Sequence, residues 1–158
     1  MNKLPTNLYS ARTVALIDQV AINDCGIPGY TLVRRAGQAT LDLLLQHYPD
    51  VGSILVLCGA GNNAGDGYVL ARLAQASGIT VHVVSMIAPD RLQGDARQAW
   101  QHWQECGDTV LYQGDVELEA DVIIDALLGT GLSREVAEDW KGLIKAVNRS
   151  TIPVLSVD

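Results

Sequence analysis

The apolar run Ile54-Leu55-Val56-Leu57 leads straight into a glycine-rich turn, Cys58-Gly59-Ala60-Gly61-Asn62-Asn63-Ala64-Gly65-Asp66-Gly67. A strand ending in such a turn is where an α/β protein holds a phosphate-bearing ligand: glycines permit a tight turn and close backbone approach, and the next helix points its N-terminus at the anion. From residue 53 the pattern alternates strand and helix. It reads as strand 53–58, helix 66–77 closing at Gly78, strand 79–85, a loop around Pro89 and helix 92–106 stopped by Gly107. Short strands near 109–112 and 121–125, helix 137–148 and a last strand from Ile152 to Asp158 complete it. Such alternation predicts a parallel sheet. Two helices precede it. The first covers 10–25, with Val14, Ile17 and Ala21 at helical spacing and Cys25-Gly26-Ile27-Pro28-Gly29 as its stop. The second turns Leu32, Val33, Ala36, Ala39, Leu43 and Leu44 to one side and ends before Pro49.

With 158 residues the chain fits one domain with one substantial core. It has no apolar run long enough to span a bilayer and no secretory leader in Met1–Asn7, and Cys25, Cys58 and Cys106 show no disulfide or metal spacing. A reducing cytoplasm is the expected compartment. A net charge of −7 without a basic cluster argues against nucleic-acid binding through phosphates. His47, His82 and His102 are isolated from other metal-ligand types, and zinc is not expected. Trp100, Trp103 and Trp140 sit in helical patterns and read as packing residues rather than stacking platforms.

In an open parallel sheet, ligands lie beyond the carboxyl ends of the strands, and three ends here carry polar residues. The first delivers Asn62, Asn63 and Asp66; the second, Val122-Ile123-Ile124-Asp125, ends on a carboxylate; the last ends on Asp158. Carboxylates leaving apolar strands are candidate bases or ion ligands. Each has a plainer reading. Asp66 serves equally as N-cap of the helix expected to start there, Asp125 as an acceptor for loop amides, and Asp158 as an ordinary strand end. The turn also fits the dinucleotide fingerprint G-x-G-x-x-A, but Thr80–Met86 presents no acid for a ribose, and no Gly-Lys-Ser/Thr of a P-loop follows. A hydride-transferring oxidoreductase is disfavoured accordingly.

Taken together, Gly59-x-Gly61-Asn62-Asn63-x-Gly65-Asp66-Gly67 with Ala71-Arg72, then Asp125-Ala126-Leu127-Leu128-Gly129-Thr130-Gly131, Val157-Asp158, and upstream Arg35-Ala36-Gly37, resemble the NAD(P)H-hydrate epimerase family, the YjeF N-terminal domain. The order is right and nearly the whole chain is covered. The resemblance implies a Rossmann-like three-layer α/β/α fold with a mostly parallel sheet and two N-terminal helices. It implies an isomerase that interconverts the R and S forms of NADHX and NADPHX, so that an ADP- or ATP-dependent dehydratase, fused or separate, can restore the cofactor. Asn62, Asn63, Ala64, Gly65 and Asp66, and Gly129, Thr130, Gly131, Leu132, Ser133, Arg134 and Glu135, match the segments that hold the hydrated dinucleotide. Asn63 and Asp125 match potassium ligands, and Asp158 matches a substrate-binding carboxylate expected to act as the acid/base group. Epimerisation at C6, which bears a hydroxyl next to a ring nitrogen, proceeds either by loss and readdition of water or by ring opening; both require proton transfer.

Ala64 stands where the family usually has glycine, and the family motif continues past the terminal Asp with a potassium-ligating Ser. The resemblance therefore implies a single domain over 1–158 truncated at its C-terminal end. The competing reading is a non-catalytic nucleotide- or protein-binding scaffold of the same fold, against which the joint presence of Asn63, Asp125 and Asp158 counts. A homodimer covering the two N-terminal helices is expected.

Overall fold

The computed structural model describes residues 9–157. Its sheet has five strands, β1 (Ser53–Cys58), β2 (Thr80–Ser85), β3 (Thr109–Leu111), β4 (Val122–Ala126) and β5 (Val154–Ser156), in the order β3-β2-β1-β4-β5. All four pairings are parallel. The helices are α1 (Ala11–Asn23), α2 (Gly29–His47), α3 (Asn62–Ala76), α4 (Gly94–Gln104) and α5 (Glu138–Arg149). A 3₁₀ turn at Pro89–Arg91 occupies the expected loop.

Side chains alternate across a strand, so the central β1 feeds two cores. Ile54, Val56 and Cys58 pack with Val83, Ile124 and Ala126 under α3 and α4, which also receive Val33, Leu41 and Leu44 from α2. Leu55 and Leu57 pack with Val84, Ile123 and the α5 residues Leu143 and Val147 on the other face. β1 is thus buried on both sides, as a central parallel strand with helices on each face must be. Trp103 is fully buried, its indole N–H donating to the Asp108 carbonyl at 3.1 Å.

Two sequence expectations are corrected. α3 starts at Asn62, not 66, with Gly61 as N-cap, so Asp66 lies within the helix and does not cap it. Glycine has poor helix propensity, but here packing decides. A Cβ on Gly67 would sit 2.7 Å from the Ala126 methyl, and one on Gly65 would sit 3.1 Å from Ala96 Cα, so these glycines seat α3 against β4 and α4. On α2 the buried stripe is Val33, Gly37, Leu41 and Leu44, while Ala39 and Leu43 are exposed. On α1 no residue is buried, and Val14, Ile17 and Val20 are about half exposed.

At the amino-terminal edge of the sheet, Asp121 ties the start of β4 to that of β1. Its Oδ2 accepts from the Gly52 N–H at 2.9 Å, the Ser53 N–H at 2.8 Å and the Ser53 hydroxyl at 3.0 Å. These bonds, with the Gly52 N–H first, hold its carboxyl below the usual range. A depressed folded-state value stabilises above the ordinary carboxylate pKa, and that contribution disappears as pH falls through the folded-state value. Asp121→Asn is therefore expected to lower the melting temperature at pH 7, and the gap to wild type should narrow as pH falls below the ordinary carboxylate range. A gap independent of pH would refute the assignment.

Candidate functional site

The chain leaves β1 through α3 on one face of the sheet and leaves β4 toward α5 on the other. Because these adjacent strands send their connections opposite ways, a crevice opens beyond their carboxyl ends. Register places Asp125 beside Leu57 on one side and Ser156 on the other. The two walls are joined at their base. The Gly59 N–H donates to the Ala126 carbonyl at 3.0 Å, and any Cβ at Gly59 would run into the Leu127 carbonyl.

The first wall is the N-terminus of α3. Gly61 supplies no capping side chain, and the first turn contains no acid, so the helix's own first turn does not offset the positive end of its dipole. Space beside Gly61 is open: a Cβ there would meet nothing within 4 Å. Asn62 is exposed, whereas both side-chain polar atoms of Asn63 are buried and without a hydrogen-bond partner. Ala64 and Gly65 are buried, so what they can offer a ligand is backbone N–H; Asp66 is half-buried one turn further on.

The second wall starts at half-buried Asp125. Its Oδ1 accepts from the Leu127 N–H at 3.0 Å and its carbonyl accepts from the Val157 N–H at 2.9 Å. The loop-amide role is therefore real, and it occupies one carboxylate oxygen. Beyond, residues 130–135 are exposed and half-buried Gly129 closes a turn by accepting from the Leu132 N–H at 3.2 Å. Leu132, Arg134 and Glu135 border a hollow of about 140 Å³ with Leu128, Val136 and Trp140. Glu135 lies 4.0 Å from Lys141 of α5, which pairs more closely with Glu138, at 2.8 Å. Thr130, Gly131 and Ser133 lie on the same exposed loop. Asp158 lies outside the described residues.

Val136 and Trp140 were not read from the sequence as site residues. Trp140 packs in the α5 core and also lines the hollow, a double role that its helical spacing alone does not reveal. Cys58, beneath the turn, is not a nucleophile: burial pushes its thiol up, and burial followed by the neighbouring Cys58 does the same to Tyr68. Among the described residues no three His, Cys, Asp or Glu side chains gather as a metal cluster.

The family described as "YjeF-related protein N-terminus" matches residues 29–158. A Bordetella bronchiseptica protein named NAD(P)H-hydrate epimerase is 42% identical over 133 residues, covering 82% of this chain and 57% of that protein. A Coxiella burnetii protein named bifunctional NAD(P)H-hydrate repair enzyme Nnr is 39% identical over 154 residues, covering 97% of this chain but 31% of its own length. A Limosilactobacillus fermentum NAD(P)H-hydrate epimerase is 36% identical, with 89% and 68% covered. Thus the chain spans between about a third and two thirds of these relatives. The crystal structure of yeast ynu0 superposes with a TM-score of 0.86 at 22% identity, covering 96% of this chain and 70% of that one, and so shares the fold.

Proposed function

The chain belongs to the family of YjeF-related protein N-termini, and from that premise we propose that it is the epimerase part of a nicotinamide-cofactor repair enzyme, interconverting the R and S forms of NADHX and NADPHX. The observation that carries this reading is the Asn63 amide, buried without a partner where the open end of α3 meets Asp125 across the β1–β4 crevice. A buried unpaired amide costs about 1–3 kcal/mol, so it persists where a ligand supplies the missing partner. The relatives' printed names supply the substrate.

In this reading the pyrophosphate lies against the N–H groups of residues 62–65, and the loop from Gly129 to Glu135 closes over the remainder of the dinucleotide. Asn63 Oδ1 and the Asp125 carboxylate would hold a potassium ion; an all-oxygen donor set suits a hard cation, and the orphaned Asn63 oxygen fits it. When bound, that ion offsets carboxylate charge beside the phosphates. Asp158 follows Val157, whose N–H is bonded to the Asp125 carbonyl, and is assigned the proton transfer. By the dehydration route it donates a proton to the departing C6 hydroxyl, which leaves as water while the ring nitrogen lone pair forms the C=N bond. It then takes a proton from the water that adds to the opposite face.

The proposed partner is an ADP- or ATP-dependent dehydratase, fused or separate, and the proposed compartment is the cytoplasm. No helix among the described residues is long and apolar enough to cross a membrane. The proposal includes a homodimer that covers α1, where Val14, Leu16, Ile17 and Val20 are each 45–52% exposed along one short helix. A monomer by light scattering at micromolar concentration would remove that part alone.

The direct test follows R-to-S conversion of NADHX by chromatography in the intact protein, with a stereospecific dehydratase as trap. Conversion no faster than the spontaneous rate rejects the catalytic reading and favours the scaffold. Asn63→Leu refines the test. It should leave the melting temperature unchanged or raised, because a costly unpaired amide is removed, and should reduce kcat/KM about 100-fold through loss of about 2.7 kcal/mol of ligand stabilisation. A parallel loss of stability would mean that Asn63 serves the fold.

A further inference from the structure

Two motif fragments singled out in the sequence, Arg35-Ala36-Gly37 and Ala71-Arg72, have no part in the crevice described above. The structure brings their arginines together. Thr31, Arg34, Arg35, Gln38 and Asp42 form a stripe along α2, and Arg72 faces them from α3 across a groove of about 410 Å³. Val69 and Leu73, one helical turn and one residue from Arg72, supply an apolar side. Arg72 lies ten residues along α3 from Asn62, about 15 Å at the helical rise, so this groove is remote from the open end of the helix.

Its electrostatics are unbalanced. Three of the chain's eight arginines converge here although the net charge is −7. Among the described residues the chain's salt bridges involve Lys141 alone, so none of the three guanidiniums is neutralised by an ion pair. Asp42, the one carboxylate in the lining, accepts instead from the Gln38 amide at 2.8 Å. The Nε of Arg72 is buried and has no hydrogen-bond partner. The same charges reach Tyr30, whose hydroxyl lies 2.6 Å from His102 Nδ1: burial raises its pKa, and Arg72, then Arg34, pull it down. Guanidiniums from two helices therefore act on one small volume.

We propose that this α2–α3 groove is a second ligand site, which takes a compact phosphate-bearing molecule whose apolar part lies along Val69 and Leu73. A guanidinium presents its N–H donors as a planar fork that matches phosphate oxygens two at a time, and Arg35 with Arg72 can approach one phosphate from opposite helices. The volume falls within the range of small-molecule sites. Thr31 and Gln38 add neutral hydrogen-bonding groups at the rim. The proposal is independent of the epimerase reading, because no residue is shared with that crevice.

The test is a titration of the chain with inorganic pyrophosphate, followed residue by residue through backbone amide NMR shifts. Saturable shifts are expected at residues 31–38 and 69–73. The double variant Arg34→Gln/Arg35→Gln changes two exposed side chains and should weaken that response at least 10-fold. It should leave any shifts at residues 61–65 unchanged. Lys145→Gln/Arg149→Gln removes equal charge on α5 and should have no effect on the groove. The proposal is overturned if residues 31–38 and 69–73 do not respond, if the arginine variant responds like wild type, or if the α5 variant weakens binding equally.

Discussion

Alanine at Gly59 is expected to lower the melting temperature by about 4–16 °C and to abolish the crevice with it. The added methyl would meet backbone, the Leu127 carbonyl, and neither partner has a rotamer with which to give way. Gly59 closes the β1–β4 ladder by donating to the Ala126 carbonyl, so separating the chains to admit a methyl breaks that bond where the two central strands end. Overpacking costs about 1–3 kcal/mol, and a lost backbone hydrogen bond about 1 kcal/mol more. For a chain of this length each kcal/mol moves the melting point by about 2–4 °C. Gly61→Ala is the control: its φ of −112° suits any residue and a Cβ there meets nothing within 4 Å. It should cost no more than about 1 kcal/mol, the difference between glycine and alanine at an N-cap. Equal melting temperatures for the two variants would show that the strand ends are not clamped together as described.

That contrast marks what the sequence discloses and what it conceals. β1 was readable because Ile54 to Leu57 admit no solvated face, and Asp125 because a carboxylate after Val122-Ile123-Ile124 has no role inside a sheet. Both were found in their places, at the ends of adjacent parallel strands. The start of α3 was not readable. Asn62-Asn63-Ala64-Gly65 carries loop residues by propensity, and it is helical because Gly65 and Gly67 fit against Ala96 and Ala126, contacts that no local pattern encodes. The same blindness shifted the α2 stripe, since Gly37 belongs to its buried face through Val69 of α3. On α1 the spacing predicts the helix that is found. Val14 and Ile17 do share a side of the helix, but periodicity does not say whether anything covers that side. Trp140 was hidden differently, because one side chain serves the core and the hollow beside residues 132–136 together.

Asp158→Asn is expected to reduce kcat for epimerisation by about 10³-fold or more, within the range for removal of a general acid–base group, with KM changed less than about threefold. The substitution preserves size and hydrogen-bonding capacity, so bound substrate keeps its contacts. What an amide cannot do is give a proton to a departing hydroxyl and take one from incoming water. The step demands both in turn, because the C6 oxygen leaves and returns as neutral water. Asn63 and Asp125 offer no substitute in the proposed arrangement: the first is an amide, and the second already accepts from the Leu127 N–H and is assigned to the cation. The two kinds of variant should therefore separate. Asn63→Leu is expected to act on ligand retention, and added potassium should not restore it. Asp158→Asn should bind NADHX at wild-type affinity and should flatten the alkaline limb of the kcat–pH profile, since the group that must be protonated to begin the reaction is gone. Retained turnover in Asp158→Asn with an unaltered pH profile would transfer the acid–base role to another residue of the crevice, and the half-buried Asp66, one turn into α3, is the next carboxylate to replace.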